Sequence, residues 1–250
     1  MSLTRGTVYI DVWTTPGGSV NFVVTGECFA PEDCSGLFSS SYLQSIDFYY
    51  TENFNTTYTT NMYQMFYNTT GFATSGNSLD VSTFITKNVT SMEEMFREFK
   101  GSGINVNGFN TEKVTTVVGM FYNCSNVKEL RLASFSLTGI KSSTKVIVML
   151  SNCSSIESII SPYCSYAIDL PFSMYYYNSK TKKYARATSI PAATRGREYL
   201  LNNPSMSAIF IPTYTVKIAS LNESDGRLHA MIDDNKKRYF IKLKQHAENE

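Results

Sequence analysis

The chain has 250 residues, 22 basic and 21 acidic, for a formal charge of +1 that gives no footing for nucleic-acid binding. Apolar residues make up 42%, enough to bury a core, and no run of roughly 18 apolar residues exists to cross a membrane as a helix. The chain lacks C-x-x-C, H-E-x-x-H, G-x-S-x-G and phosphate-loop patterns. Zinc, metalloprotease, serine-hydrolase and nucleotide chemistry are therefore not expected, and no catalytic, cofactor or metal residue is assigned.

Residues 1–33 read as an N-terminal β-hairpin cap. Val8, Ile10 and Val12 alternate with Tyr9, Asp11 and Trp13; Pro16-Gly17-Gly18 supplies turn chemistry; Val20, Phe22 and Val24 alternate on the return. Trp13 fits either this cap or an exposed anchor for a partner. Asp11 breaks the run TVYIDVWTT, so the N-terminus does not read as a signal peptide.

Residues 34–165 repeat. Leu37-Phe38, Met65-Phe66, Met95-Phe96, Met120-Phe121 and Met149-Leu150 are spaced by 28, 30, 25 and 29 residues. Between them recur Leu43, Ile46 and Phe48; Leu79, Val81 and Phe84; Ile104, Val106 and Phe109; Leu130, Leu132 and Phe135; and Ile156 and Ile159. The period and the L-x-L spacing predict a repeat solenoid of leucine-rich type. It would have short parallel strands, short helical turns and about five coils. Thr90-x-x-Glu93 fits a capping box for one such helical turn. The apolar strand positions point inward, with the recurring Met and Phe as core filler. The outward positions Asp47, Asp80, Asn105 and Arg131, with Tyr49 and Tyr50, are the candidate partner-binding residues. The N-x-S/T sites at Asn88, Asn123 and Asn152 sit inside the repeat and read as turn-capping asparagines. Cys124 and Cys153 occupy equivalent repeat positions and suit buried free thiols better than a disulfide.

Residues 166–250 lose the repeat and read as a small β-rich C-terminal domain. Strands are expected at 172–177, 183–187, 208–211, 214–219, 228–232 and 238–243. Turns are expected at 178–181 and 233–236, and a short helix at 197–201. This segment holds 13 basic and 8 acidic side chains, +5, against one basic and four acidic, −3, in residues 1–33. The excess at Lys180, Lys182, Lys183, Arg186, Arg195, Arg197 and Lys236 to Arg238 is either a solvated face or a surface for an anionic partner. The two histidines, His229 and His246, lie far in sequence from the cysteines of the repeat block, so no Cys–His nucleophile is assigned.

One phrase is more specific. Phe84, Asn88, Val89, Thr90, Met92, Met95 and Phe96 are followed by Phe109, Asn110, Thr111, Val114, Thr115, Met120, Phe121, Tyr122, Asn123, Cys124 and Ser125. Over about residues 34–161 this resembles the BspA-like leucine-rich repeat surface proteins. The resemblance implies a non-catalytic protein displayed outside the cell and used for binding. The expected function is therefore non-enzymatic recognition or adhesion, with protein or glycan on a cell surface as partner. Its location would be extracellular or cell-surface, with the leader absent from this chain. The alternative is a structural or receptor-binding component of a bacteriophage virion, assembled as a homo-oligomer. Virions need no leader, and the opposite charges of the two flanking segments suit subunit contacts.

Overall fold

The computed structural model describes residues 28–41, 43–46, 48 and 54–204, and the backbone of five strands outside that span. The elements are β1 (Tyr9–Thr14), β2 (Val20–Thr25), α1 (Phe72–Ser75), β3 (Ser78–Asp80), β4 (Gly103–Asn105) and β5 (Glu129–Arg131). There follow β6 (Ser136–Leu137), β7 (Ser158–Ile160), β8 (Tyr163–Cys164), β9 (Ile168–Asn178), β10 (Lys183–Ile190), β11 (Glu198–Leu200), β12 (Lys217–Asn222), β13 (Arg227–Met231) and β14 (Arg238–Lys242). Two units result, Met1–Asn203 and Pro204–Glu250. In the second, β12, β13 and β14 form an antiparallel three-stranded sheet.

In the first unit the Met-Phe segments lie side by side as rows of turns. Parallel backbone bonds join them: Phe38 N–H to Met65 O at 2.8 Å, Phe66 to Met95 at 2.8 Å, Phe96 to Met120 at 2.9 Å and Phe121 to Met149 at 2.9 Å. Within a row the turns overlap, as in Met65 N–H to Met62 O and Tyr67 N–H to Gln64 O. The row side chains form the core. Phe66, Phe96 and Phe121 are buried and stack in sequence, with centroids 5.7 and 5.5 Å apart. Opposite them, β3 pairs in parallel with β4, and β5 with β7, aligning buried Leu79 with Ile104 and Leu130 with Ile159.

The predicted leucine-rich solenoid is overturned. The described elements are mostly strands, in small separate sheets of two, five, three, two and two strands, with one four-residue α-helix and one three-residue 3-10 turn. The parallel pair β3–β4 does not join β5–β7, whose sheet instead runs on through antiparallel pairing in the order β10-β9-β11-β7-β5. Two physical causes are visible. Strands of three residues make too few ladder bonds to carry one sheet through the whole repeat. And each Met-Phe row places residues in the left-handed region, Gln64 and Asn68 in one row, Glu94 and Glu98 in the next, which no α-helix tolerates in its interior. The capping box at Thr90 and Glu93 is absent: the Thr90 hydroxyl donates to Thr60 O in the neighbouring row. The helix predicted at 197–201 is the strand β11, held by pairing to β7.

Elsewhere β1 and β2 form the antiparallel pair expected of the hairpin, and β9 and β10 enclose a turn at Asn178. Residues 208–211 and 233–236 lie outside the described residues. Among the described residues no helix is long and apolar enough to cross a membrane.

Candidate functional site

Of the six candidate partner-binding positions, Asp47, Tyr49 and Tyr50 lie outside the described residues. Asp80 and Asn105 are brought together across β3 and β4, with Asn105 Nδ2 donating to Asp80 Oδ2 at 2.9 Å. Both also shape their own turns, since Ser82 N–H donates to Asp80 Oδ1 and Asn107 N–H to Asn105 Oδ1. Burial opposes ionisation of Asp80, but the hydrogen bonds from Ser82 and Asn105 outweigh it and hold the carboxyl below the ordinary range. Arg131 is exposed at the end of β5 and pairs with Glu129 at 3.0 Å. This pair and the turn-forming Asp80 and Asn105 have their polar groups occupied within the chain.

A second surface differs in this respect. The turn at Asn178 sets the register of β9 and β10: its side-chain oxygen accepts from the N–H of Lys180 at 3.0 Å, and its carbonyl accepts from Lys182 at 2.8 Å. That register puts Arg186 opposite Tyr175 and Tyr184 opposite Tyr177. The Arg186 guanidinium lies 5.2 Å from the Tyr175 ring centroid, and the two tyrosines meet edge-on at 5.5 Å. Tyr176, next in β9, points to the opposite face of the sheet, and on that side the loop 191–197 is pinned to the chain before β8. Ser161 Oγ accepts from Arg197 N–H, and Ser161 and Arg197 exchange a backbone bond, both at 2.9 Å. The loop carries two more cations onto aromatic rings, Arg195 over Tyr163 at 5.5 Å and Arg197 over Tyr176 at 4.8 Å. Among the described residues, none of these three arginines has a carboxylate at ion-pair distance.

On the Tyr176 side of the sheet Tyr199 is fully buried against Tyr176, and its hydroxyl has no hydrogen-bond partner among the described residues. Burial raises its pKa, and the positive charge of Arg197 offsets part of that rise without meeting hydrogen-bond geometry. The β9–β10 ladder breaks between the pairs Ala187–Met174 and Ser189–Asp169. Pro171, which has no N–H to give, falls in that break. A depression of about 340 Å³ opens there, lined by Ser173, Tyr176, Arg186, Thr188, Ser189 and Pro191.

Sequence reasoning found the arginines as part of a basic cluster but missed the tyrosines. The signal was present in the run Tyr175-Tyr176-Tyr177 ahead of a turn asparagine, because the turn decides which residues face one another across the hairpin. Among the described residues no group of three or more His, Cys, Asp or Glu side chains is placed to hold a metal ion.

Comparison with known proteins finds one family. Residues 32–163 match the family described as "Mycoplasma protein of unknown function, DUF285". No curated protein and no solved structure matches the chain.

Proposed function

We propose that this chain, which belongs to the DUF285 family, is a non-enzymatic recognition protein displayed on a cell surface, and that the tyrosine-stacked arginines of β10 and the loop 191–197 bind an anionic partner. The observation that carries this is the set of three arginines held on tyrosine rings with no carboxylate partner. Stacking fixes a guanidinium while leaving its N–H edges free, which is the state suited to the oxygens of an incoming partner. Tyrosine and arginine are also the side chains most enriched at recognition hot spots. The resemblance of residues 34–161 to BspA-like surface proteins supports display outside the cell. The stacked turn rows then serve as a rigid support for the surface.

A pull-down from host and bacterial surface material, together with a glycan array, tests the reading. The chain is compared with the triple variant Arg186→Gln, Arg195→Gln, Arg197→Gln. Wild-type binding should weaken with added salt and be lost in the variant. Retention of every interaction by the triple variant would remove this surface from the function. Recovery of the protein only as a many-copy particle would favour the virion alternative.

A further inference from the structure

We infer that the depression at the broken β9–β10 ladder is a subsite for an acidic sugar, with Arg186 receiving the sugar's carboxylate. This rests on the recognition reading and narrows its partner from any anionic surface to a glycan. The lining supplies one cation, Arg186, and three hydroxyls, from Ser173, Thr188 and Ser189. That ratio suits a ligand with many hydroxyls and a single negative charge. Pro191 adds an apolar face of the kind that packs on the C–H side of a sugar ring. The volume, about 340 Å³, is at the small end of ligand sites and takes one sugar residue with its substituents.

The position in the sheet argues against an acidic peptide. β10 is an edge strand of the five-stranded sheet, where a peptide would bind by adding a strand. This edge is interrupted where the register shifts between Ala187 and Ser189, and its approach carries Lys180, Lys182 and Lys183. Breaks and lysines are the devices that keep strands from adding to an edge. What the break does offer is a depression lined by Ser173, Thr188 and Ser189 beside a charged group. Arg186 is exposed, and its stacking on Tyr175 restricts the guanidinium, so binding would order few further side-chain degrees of freedom.

The test uses the full chain and matched probes that differ in one group: methyl glucuronide against methyl glucoside, and a methyl sialoside against methyl galactoside. Saturation-transfer NMR reads the weak binding expected of one sugar unit. At least one acidic probe should bind while its neutral counterpart does not. Arg186→Gln should weaken that binding about tenfold or more, as for loss of a charge-assisted hydrogen bond. Arg186→Lys should retain an intermediate affinity, because it keeps the charge but loses the planar fork. Lys128→Gln, beside the opposite edge strand β5 and paired with Glu157, should leave it unchanged. Because Arg186 is exposed, unchanged melts will confirm that its variants fold. The subsite is overturned if neither acidic probe binds, if the neutral probes bind equally, or if inorganic sulfate displaces the sugar with equal potency. Should the probes fail while the double variant Arg195→Gln, Arg197→Gln still loses surface-material binding, the subsite falls and the recognition reading stands. Should the triple variant also keep all its binding, both fall.

Discussion

Val148 sits at φ 50°, in the left-handed region, at the row position that Gly36, Gln64, Glu94 and Gly119 occupy elsewhere with φ of 65°, 53°, 54° and 58°. A β-branched side chain is the least suited to that conformation, because its Cβ crowds the neighbouring carbonyl. Val148 is also 41% exposed, so little packing compensates the strain. Val148→Gly should therefore stabilise the protein by about 1 kcal/mol in a chemical melt, after allowing for the greater unfolded-state freedom of glycine. The reverse exchange, Gly119→Ala, should cost about 1–2 kcal/mol, since the new Cβ adds the same strain and meets Glu94 Cγ at 3.4 Å. A different contrast tests the two faces of the repeat. Phe121 is fully buried in the ring stack, whereas Arg131 is exposed and pairs with Glu129. Phe121→Ala should cost roughly 3–5 kcal/mol, and Arg131→Ala should stay within about 0.5 kcal/mol. Equal denaturation midpoints for the two would contradict the packing.

At the scale of the elements, the recurring Asp and Asn positions act as turn formers. Backbone N–H groups donate to Asp33 from Ser35, to Asn61 from Tyr63, to Asp80 from Ser82 and to Asn105 from Asn107, at 2.9 to 3.1 Å. The same side chains join neighbouring repeats, Asn61 to Asp33 and Asn105 to Asp80, both at 2.9 Å. Asp80→Ala should therefore destabilise by about 1 kcal/mol through lost acceptors, while Asp80→Asn keeps the turn and should cost less. Thermal melts at neutral pH check the order of the two. These elements also show what could be read in advance. The inward positions Leu79, Ile104 and Leu130 were readable because apolar residues recur at a fixed offset. The turn rows were not, because Gln64, Glu94 and Val148 take left-handed conformations that only Gly36 and Gly119 betray in the sequence. The strand β11 reads as a helix in sequence because its partner β7 lies far away along the chain. At the candidate site the arginines stood out by charge, but their tyrosine partners depend on a hairpin register that composition does not contain.

At the scale of the whole molecule, the buried thiols and the turn-forming carboxylates bound stability from opposite sides of neutral pH. All five cysteines are free. Burial pushes the thiol pKa of Cys34, Cys124 and Cys164 up, most strongly at Cys124, whose Sγ donates to Phe96 O deep in the row stack and whose neighbour Cys153 adds to the rise while being itself shifted down by Cys124. A raised folded-state pKa means that the unfolded chain releases its thiol protons first. This contribution is fully present below the unfolded thiol value of about 8.5 and is lost as pH rises through the folded values. Asp33, through the Ser35 backbone bond, and Asp80 are shifted down, so their contribution is present above the unfolded carboxylate value of about 3.9 and is lost as pH falls through the folded values. Chemical-denaturation midpoints should therefore be flat from about pH 5 to about pH 8 and decline on both sides. Cys124→Ala lowers the whole curve by leaving a small cavity, so the informative quantity is its slope. Between about pH 8 and 9.5, below the range where Tyr and Lys titrate, the variant should lose less stability per pH unit than the wild type. A wild-type midpoint that is unchanged across that interval, or a variant with the same alkaline slope, would show that the row stack does not hold the Cys124 thiol away from water.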